Sequence, residues 1–248
     1  MNRNALVFLF SLALAQAQPV SQPRVVDPGD GLHAPSDATV VFNGKNMDGW
    51  TTADGKPAGC MVTEGIMACT SGVGDIVTTE KFGSVQLHLE FNVPHMPDQK
   101  GQLRGNSGVF LHGKYEIQIL DSHENPTYGH GSLGGLYNQA APLVNAGRKP
   151  GEWQSYDIVF EAAECDASDR RVIQKAAVTV ILNGVLVQNK VKIDASEKLG
   201  VGCEPAPLRL QDHSGFRGAP VTIMRFRNIW WRRLGTVTTP ALEKSTRE

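Results

Sequence analysis

Residues 85 to 93 read Val85-Gln86-Leu87-His88-Leu89-Glu90-Phe91-Asn92-Val93, apolar at every odd position and polar at every even one. A period of two is the pattern of a strand with one buried face, and a helix would scatter these side chains around its axis. The run therefore demands a sheet with a core on one side, and it presents His88, Glu90 and Asn92 on the other. The alternation recurs in Tyr115-Glu116-Ile117-Gln118-Ile119, in 156–161, where Tyr156, Ile158 and Phe160 are set off by Asp157 and Glu161, and in Leu208-Arg209-Leu210-Gln211. From 177 to 187 two β-rich runs flank Asn183-Gly184, a hairpin turn because both residues tolerate positive φ. Residues 221–233 predict one long strand, in which Trp230 and Trp231 point to opposite faces, so at most one of them is core. The helical signal is confined to 139–146, one or two turns, with Pro142 opposing more. Many short strands separated by turn signals predict an all-β sandwich or barrel.

The ends of the chain carry different signals. Arg3, the apolar run from Ala5 to Ala15 and the triplet Ala15-Gln16-Ala17 predict a signal peptide over residues 1–17, cleaved before Gln18. The run is too short to span a bilayer. A periplasmic or secreted protein is expected, with no membrane attachment after cleavage. Residues 18–37 are rich in Pro, Gly and Asp and read as a linker. One β domain is expected over 38–235, followed by a flexible polar tail over 236–248. A balance of 24 Lys+Arg against 25 Asp+Glu argues against nucleic acid or an anionic membrane as partner.

Four cysteines in an exported chain favour disulfides. Of three possible pairings, Cys60–Cys69 is preferred because these residues flank a hairpin-like stretch turning at Glu64-Gly65, and Cys165–Cys203 then remains. C-x-x-C spacing is absent, so no zinc motif is present.

Several polar residues are placed to carry chemistry. Arg104 and Asn106 lie in the glycine-containing entry to a strand and offer donors to sugar hydroxyls or an anionic intermediate. Glu116 and Gln118 share a strand face, whereas Asp121 has the opposite parity unless a bulge resets it. If neighbouring strands bring His88 and Glu90 beside Glu116, the carboxylates can divide acid and base roles or hold a divalent cation. The segment Gln211-Asp212-His213-Ser214-Gly215 holds a metal ligand or proton carrier, or merely an exposed loop. His95, His112, His123 and His130 match no metal spacing, and His130 lies in a glycine-rich stretch that reads as a mobile loop, either lid or surface connection. Among the aromatics, Trp50, Trp153, Trp230 and Trp231 read as packing, and Tyr137 is the preferred ligand contact. G-x-S-x-G, P-loop and H-E-x-x-H motifs are absent, which argues against serine-hydrolase, nucleotide-dependent and zincin readings.

An ordered set of motifs completes the reading: Phe42-Asn43-Gly44-Lys45-Asn46-Met47-Asp48-Gly49-Trp50, Asn106-Ser107-Gly108-Val109-Phe110, Tyr115-Glu116-Ile117-Gln118-Ile119-Leu120-Asp121, Gly151-Glu152-Trp153, Leu182-Asn183-Gly184, Leu210-Gln211-Asp212-His213 and Phe226-Arg227-Asn228-Ile229. Together they resemble the 3-keto-disaccharide hydrolase domain family, also described as 3-keto-glucoside 1,2-lyase/hydratase, from about Val40 to Leu234. The resemblance implies a concanavalin- or laminarinase-like jelly roll acting on glycosides oxidised to a ketone at C3. It implies Glu116 or His213 as base, Gln118, Tyr137 and Gln211 as substrate contacts, and Arg104 and Asn106 as stabilisers of the enolate. Glu90 and Asp121 would position the ligand or a divalent metal cation. The family pattern carries Arg where this chain has His112. Two other functions suit the same fold, a non-catalytic glycan-binding module and a laminarinase-like glycosidase with two carboxylates.

Overall fold

The structure is a computed structural model that describes residues 23–31, 33–194, 203–216 and 218–235. The expected signal peptide and the tail after 235 lie outside the described residues. The strands are β1 (Thr39–Phe42), β2 (Trp50–Thr52), β3 (Met61–Thr63), β4 (Ile66–Thr70), β5 (Ile76–Phe82), β6 (Val85–Asn92), β7 (Ser107–Leu111), β8 (Tyr115–Ile119), β9 (Trp153–Glu161), β10 (Glu164–Cys165), β11 (Val172–Gln174), β12 (Ala177–Leu182), β13 (Val185–Lys192), β14 (Ala206–Leu210) and β15 (Ile223–Arg233). Among the described residues only three short 3-10 turns interrupt this pattern, at Gly101–Leu103, Gly129–Gly131 and His213–Gly215. No helix among them is long and apolar enough to cross a membrane.

Two antiparallel sheets pack face to face as a jelly-roll sandwich. The larger runs β13-β12-β9-β6-β15-β4-β3, with β1 also paired to β15, and the smaller runs β2-β5-β14-β7-β8. Alternation decides which side chains enter the core between them. Val85, Leu87, Leu89 and Phe91 from β6 meet Val109, Ile117, Ile119, Leu208 and Leu210 from the smaller sheet, all buried. Burial of this kind, at about 25 cal/mol per Å² of apolar surface, is the main force joining the sheets. Tyr156 crosses the core from β9, and its hydroxyl donates to the Gln118 carbonyl at 2.6 Å. In β15, Trp231 packs in the core against Phe82, while Trp230 stacks on His88 at the outer face of the larger sheet.

The turns follow local chemistry. Asn183 and Gly184 adopt φ of 52° and 83° and join β12 to β13. The Asn183 side chain also donates to Ala146 and Gln154 and accepts from the Ser155 N–H, so it ties the hairpin to the neighbouring loop. Residues 139–146 form no helix: Leu136 and Ala140 bridge each other, and Leu143 N–H donates to the Val187 carbonyl. Those pairings use the backbone groups that a helix at this point would need, and Pro142 supplies no N–H. Disulfides link Cys60 to Cys69 and Cys165 to Cys203. The described part of 18–37 contains no strand and is fastened to the larger sheet, where Arg232 holds Asp37 through two hydrogen bonds and Asn228 donates to the Gly31 carbonyl.

Candidate active site

The outer face of the smaller sheet carries two rows of side chains. Arg209 on β14, Phe110 on β7 and Glu116 on β8 are register partners and form the first row. Gly108 pairs with Gln118, and its carbonyl accepts from the Gln211 N–H at 3.0 Å, which makes the second. Because the intervening residues fill the core, both rows face outward. Gly108 is what lets Glu116 lie across the sheet. A Cβ there would collide with the Glu116 carboxylate and sit 2.9 Å from its Cγ and from the Phe110 ring. The Arg209 guanidinium covers the Phe110 ring at 3.7 Å and pairs with Asp75 at 2.8 Å.

Two connections raise walls around this floor. Residues 134–137 bond to the free edge of β8: Gly134 N–H donates to Gln118, Gly135 accepts from Gln118 N–H, and Tyr137 N–H donates to Glu116. Tyr137 therefore stands next to Glu116, its hydroxyl 2.8 Å from that of Tyr128. The glycine-rich stretch around His130 is thus anchored to the sheet, and its imidazole packs against both tyrosines. After β14, Asp212 caps the turn His213–Gly215, and Phe216 stacks on His213 while staying 58% exposed. With Asp75, Gln102 and Asn106 these groups line an open cleft of about 360 Å³.

A network of amides fixes the floor. The Gly131 carbonyl can only accept, and it takes the amide nitrogens of Gln102 at 2.9 Å and Gln118 at 3.3 Å. The Gln102 carbonyl similarly orients Asn106. Side-chain oxygens of Gln118 and Gln211 then remain buried without a hydrogen-bond partner among the described residues. Buried acceptors of this kind call for a donor from a ligand or solvent.

Electrostatics separates the titrating groups. Burial pushes the Glu116 carboxyl up to about 7, an effect that Asp75 reinforces and nearby Arg209 opposes. Burial holds His213 below its ordinary value, against the pull of Asp212. Asp212 is itself held low: burial raises it, but backbone hydrogen bonds to its carboxylate outweigh that. Near neutral pH the cleft therefore offers a neutral imidazole and a carboxyl group midway through its titration.

Six residues singled out in the sequence meet here: Asn106, Glu116, Gln118, Tyr137, Gln211 and His213. Three do not. Arg104 lies 2.8 Å from Asp121 and also donates to the His123 carbonyl, so both it and Asp121 form a buried clamp at the end of β8. Glu90 lies on the outer face of the larger sheet, bound by Arg227 at 2.6 Å and Asn228 at 3.0 Å, with the whole core between it and Glu116. His88 accompanies it, 2.7 Å from Asp157. Glu90 and Asp121 thus do not come together on a cation: each has an arginine partner, and Glu90 lies on the larger sheet whereas Asp121 lies just past the end of β8. No group of three His, Cys, Asp or Glu side chains suited to a metal gathers among the described residues. His112 is buried against Phe82 and Phe160, away from the cleft. Trp50 is likewise in the core, and Trp153 lies under Arg227.

Sequence reading missed Arg209, Asp75, Gln102, Tyr128 and Phe216. Only Arg209 carried a usable signal, being the polar residue between Leu208 and Leu210.

A jelly roll with a polar, aromatic-walled cleft on one sheet face is the build of a carbohydrate-active protein. The sequence matches the model of the 3-keto-alpha-glucoside-1,2-lyase-like domain over residues 37–232. The chain belongs to that family. A protein from Parabacteroides distasonis ATCC 8503, named as a candidate glycosyl hydrolase, is 41% identical, with a TM-score of 0.78 over 89% of this chain and 95% of that one. A second such protein from that organism is 21% identical, with a TM-score of 0.58 over 80% of this chain and 94% of the other, and shares the fold. No curated protein matches the sequence.

Proposed function

We propose that this protein cleaves glycosides that already carry a ketone at C3. The ketone acidifies the proton on C2. A base removes that proton, and the electron pair forms an enolate across C2 and C3. The enolate then collapses to a C1–C2 double bond as the C1–O bond breaks, and the aglycone leaves as an alcohol after receiving a proton. Water added across the new double bond, hydroxyl to C1 and hydrogen to C2, makes the net result hydrolysis.

One observation carries this reading: His213 and Glu116 line the same cleft, where burial lowers the imidazole and raises the carboxyl to about 7, so that burial favours the uncharged form of each. Neutral His213 is the base for C2, and protonated Glu116 is the donor to the leaving oxygen. The reverse assignment uses the same pair. Gln118 and Gln211 accept from sugar hydroxyls, and Tyr128, Tyr137 and Phe216 provide ring faces. Arg209, beside Glu116, replaces Arg104 as the positive charge nearest the chemistry. A two-carboxylate glycosidase fits less well. Asp75 is engaged by Arg209 and Asp212 by three backbone N–H groups, so neither is a free partner for Glu116. The leader-like first 17 residues and the two disulfides support action in the periplasm or outside the cell.

The test is a paired assay of the purified protein on a 3-keto-glucoside and the matching unoxidised glucoside. Aglycone release from the ketone alone, abolished in both Glu116→Gln and His213→Asn, is the expected result. Equal cleavage of the two sugars sinks the elimination. Binding without turnover makes the protein a glycan-binding module.

A further inference from the structure

Asp212 stands in the cleft lining yet has little left to offer a substrate. Its Oδ2 accepts from the N–H groups of Gly72 at 2.7 Å and Gly74 at 2.8 Å, and its Oδ1 from Ser214 N–H at 2.9 Å. Its own N–H donates to Asp75 at 2.8 Å. The two glycines belong to the connection between β4 and β5, with φ of 98° and 82°. Backbone of that kind lets successive N–H groups converge on one negative charge. The same connection also grips the far end of the loop: Ser71 N–H donates to the Thr222 carbonyl at 2.9 Å, and the Ser71 and Thr222 hydroxyls lie 2.7 Å apart. One short connection thus pins the 212–222 loop at both ends.

We propose that Asp212 is the positioning residue of His213: it locks the His213 turn onto the glycines of the β4–β5 connection and sets the imidazole's place in the cleft without touching substrate. The consequence for turnover rests on the reaction proposed above, whereas the placement does not. Charged groups around the imidazole are Asp212 on its own turn, Asp75 at the start of β5, Arg209 on β14 and Glu116 on β8, with Phe216 stacked on the ring. Of these, Asp212 favours the protonated ring and opposes burial. Removing its charge leaves burial to act alone.

The experiment is an NMR titration of the His213 ring in the full chain, comparing wild type with Asp212→Asn and Asp212→Ala, alongside pH–rate profiles. In both variants His213 should titrate lower than in wild type. With a 3-keto-glucoside, kcat should fall roughly 10- to 100-fold, the penalty of a small misplacement of a reacting group, with KM nearly unchanged. A residue that only braces the loop would lower the melting temperature and leave the His213 titration where it was, and that outcome overturns the proposal. Should the variants fail to fold, wild type supplies the test. The amide resonances of Gly72, Gly74 and Ser214 must then move together as Asp212 protonates in acid, and independent behaviour overturns the assignment. None of the NMR readings needs turnover. A protein inactive on 3-keto-glycosides whose His213 still responds to Asp212 loses the proposed reaction and keeps this one.

Discussion

At the scale of single residues, Glu116 sets function against stability. Its carboxyl titrates near 7 in the fold against 4.5 when unhindered, so between those values the folded chain holds the proton more tightly than the unfolded chain. Stability from this group is therefore intact below about 4.5, declines as pH rises through the window, and stays reduced above about 7. Glu116→Gln removes the group that must ionise. Denaturant unfolding should find this variant more stable than wild type by about 1 to 3 kcal/mol at pH 8, with the gain shrinking toward pH 4.5. A gain that does not change with pH would mean that burial is not what raises this group. The same variant loses the proposed proton donor, so stability and activity should move in opposite directions.

At the scale of elements, β7 matters for what it lacks. Gly108 leaves a gap that Glu116 fills, and Phe110, one register row away, gives Arg209 a ring to lie on. Gly108→Ala should push the Glu116 side chain aside, lowering kcat/KM on a 3-keto-glucoside at least tenfold while costing about 1 to 3 kcal/mol of stability. Full activity in that variant would show that Glu116 does not need to lie across the sheet. The alternation in 115–119 and 208–211 located these strands and their outward residues without coordinates. It also placed Glu116 and Gln118 together, because parity within one strand is a local property. Which sheet a strand joins is not local. Glu90 on β6 has the same patterning as Glu116 on β8, yet long-range pairing puts β6 between β9 and β15 and β8 beside β7. Arg104 and Asp121 stand apart from the cleft for a related reason, since their polarity serves each other.

For the molecule as a whole, the two disulfides close loops of unequal size, with sequence separations of 9 and 38 residues. By loop-closure entropy, replacing Cys165 and Cys203 with serine should cost about 4 kcal/mol, and replacing Cys60 and Cys69 somewhat less, about 2 to 3 kcal/mol. Denaturant midpoints of the two double variants check the order. A larger loss at Cys60–Cys69 would indicate that native packing around β4, rather than chain entropy, is the dominant contribution. The wall formed by residues 134–137 has a second effect on the molecule. β8 is the last strand of its sheet, and a bare last strand exposes a line of backbone donors and acceptors to which another polypeptide can pair. By occupying that line, the segment carrying Tyr137 keeps the chain from stacking on its own copies.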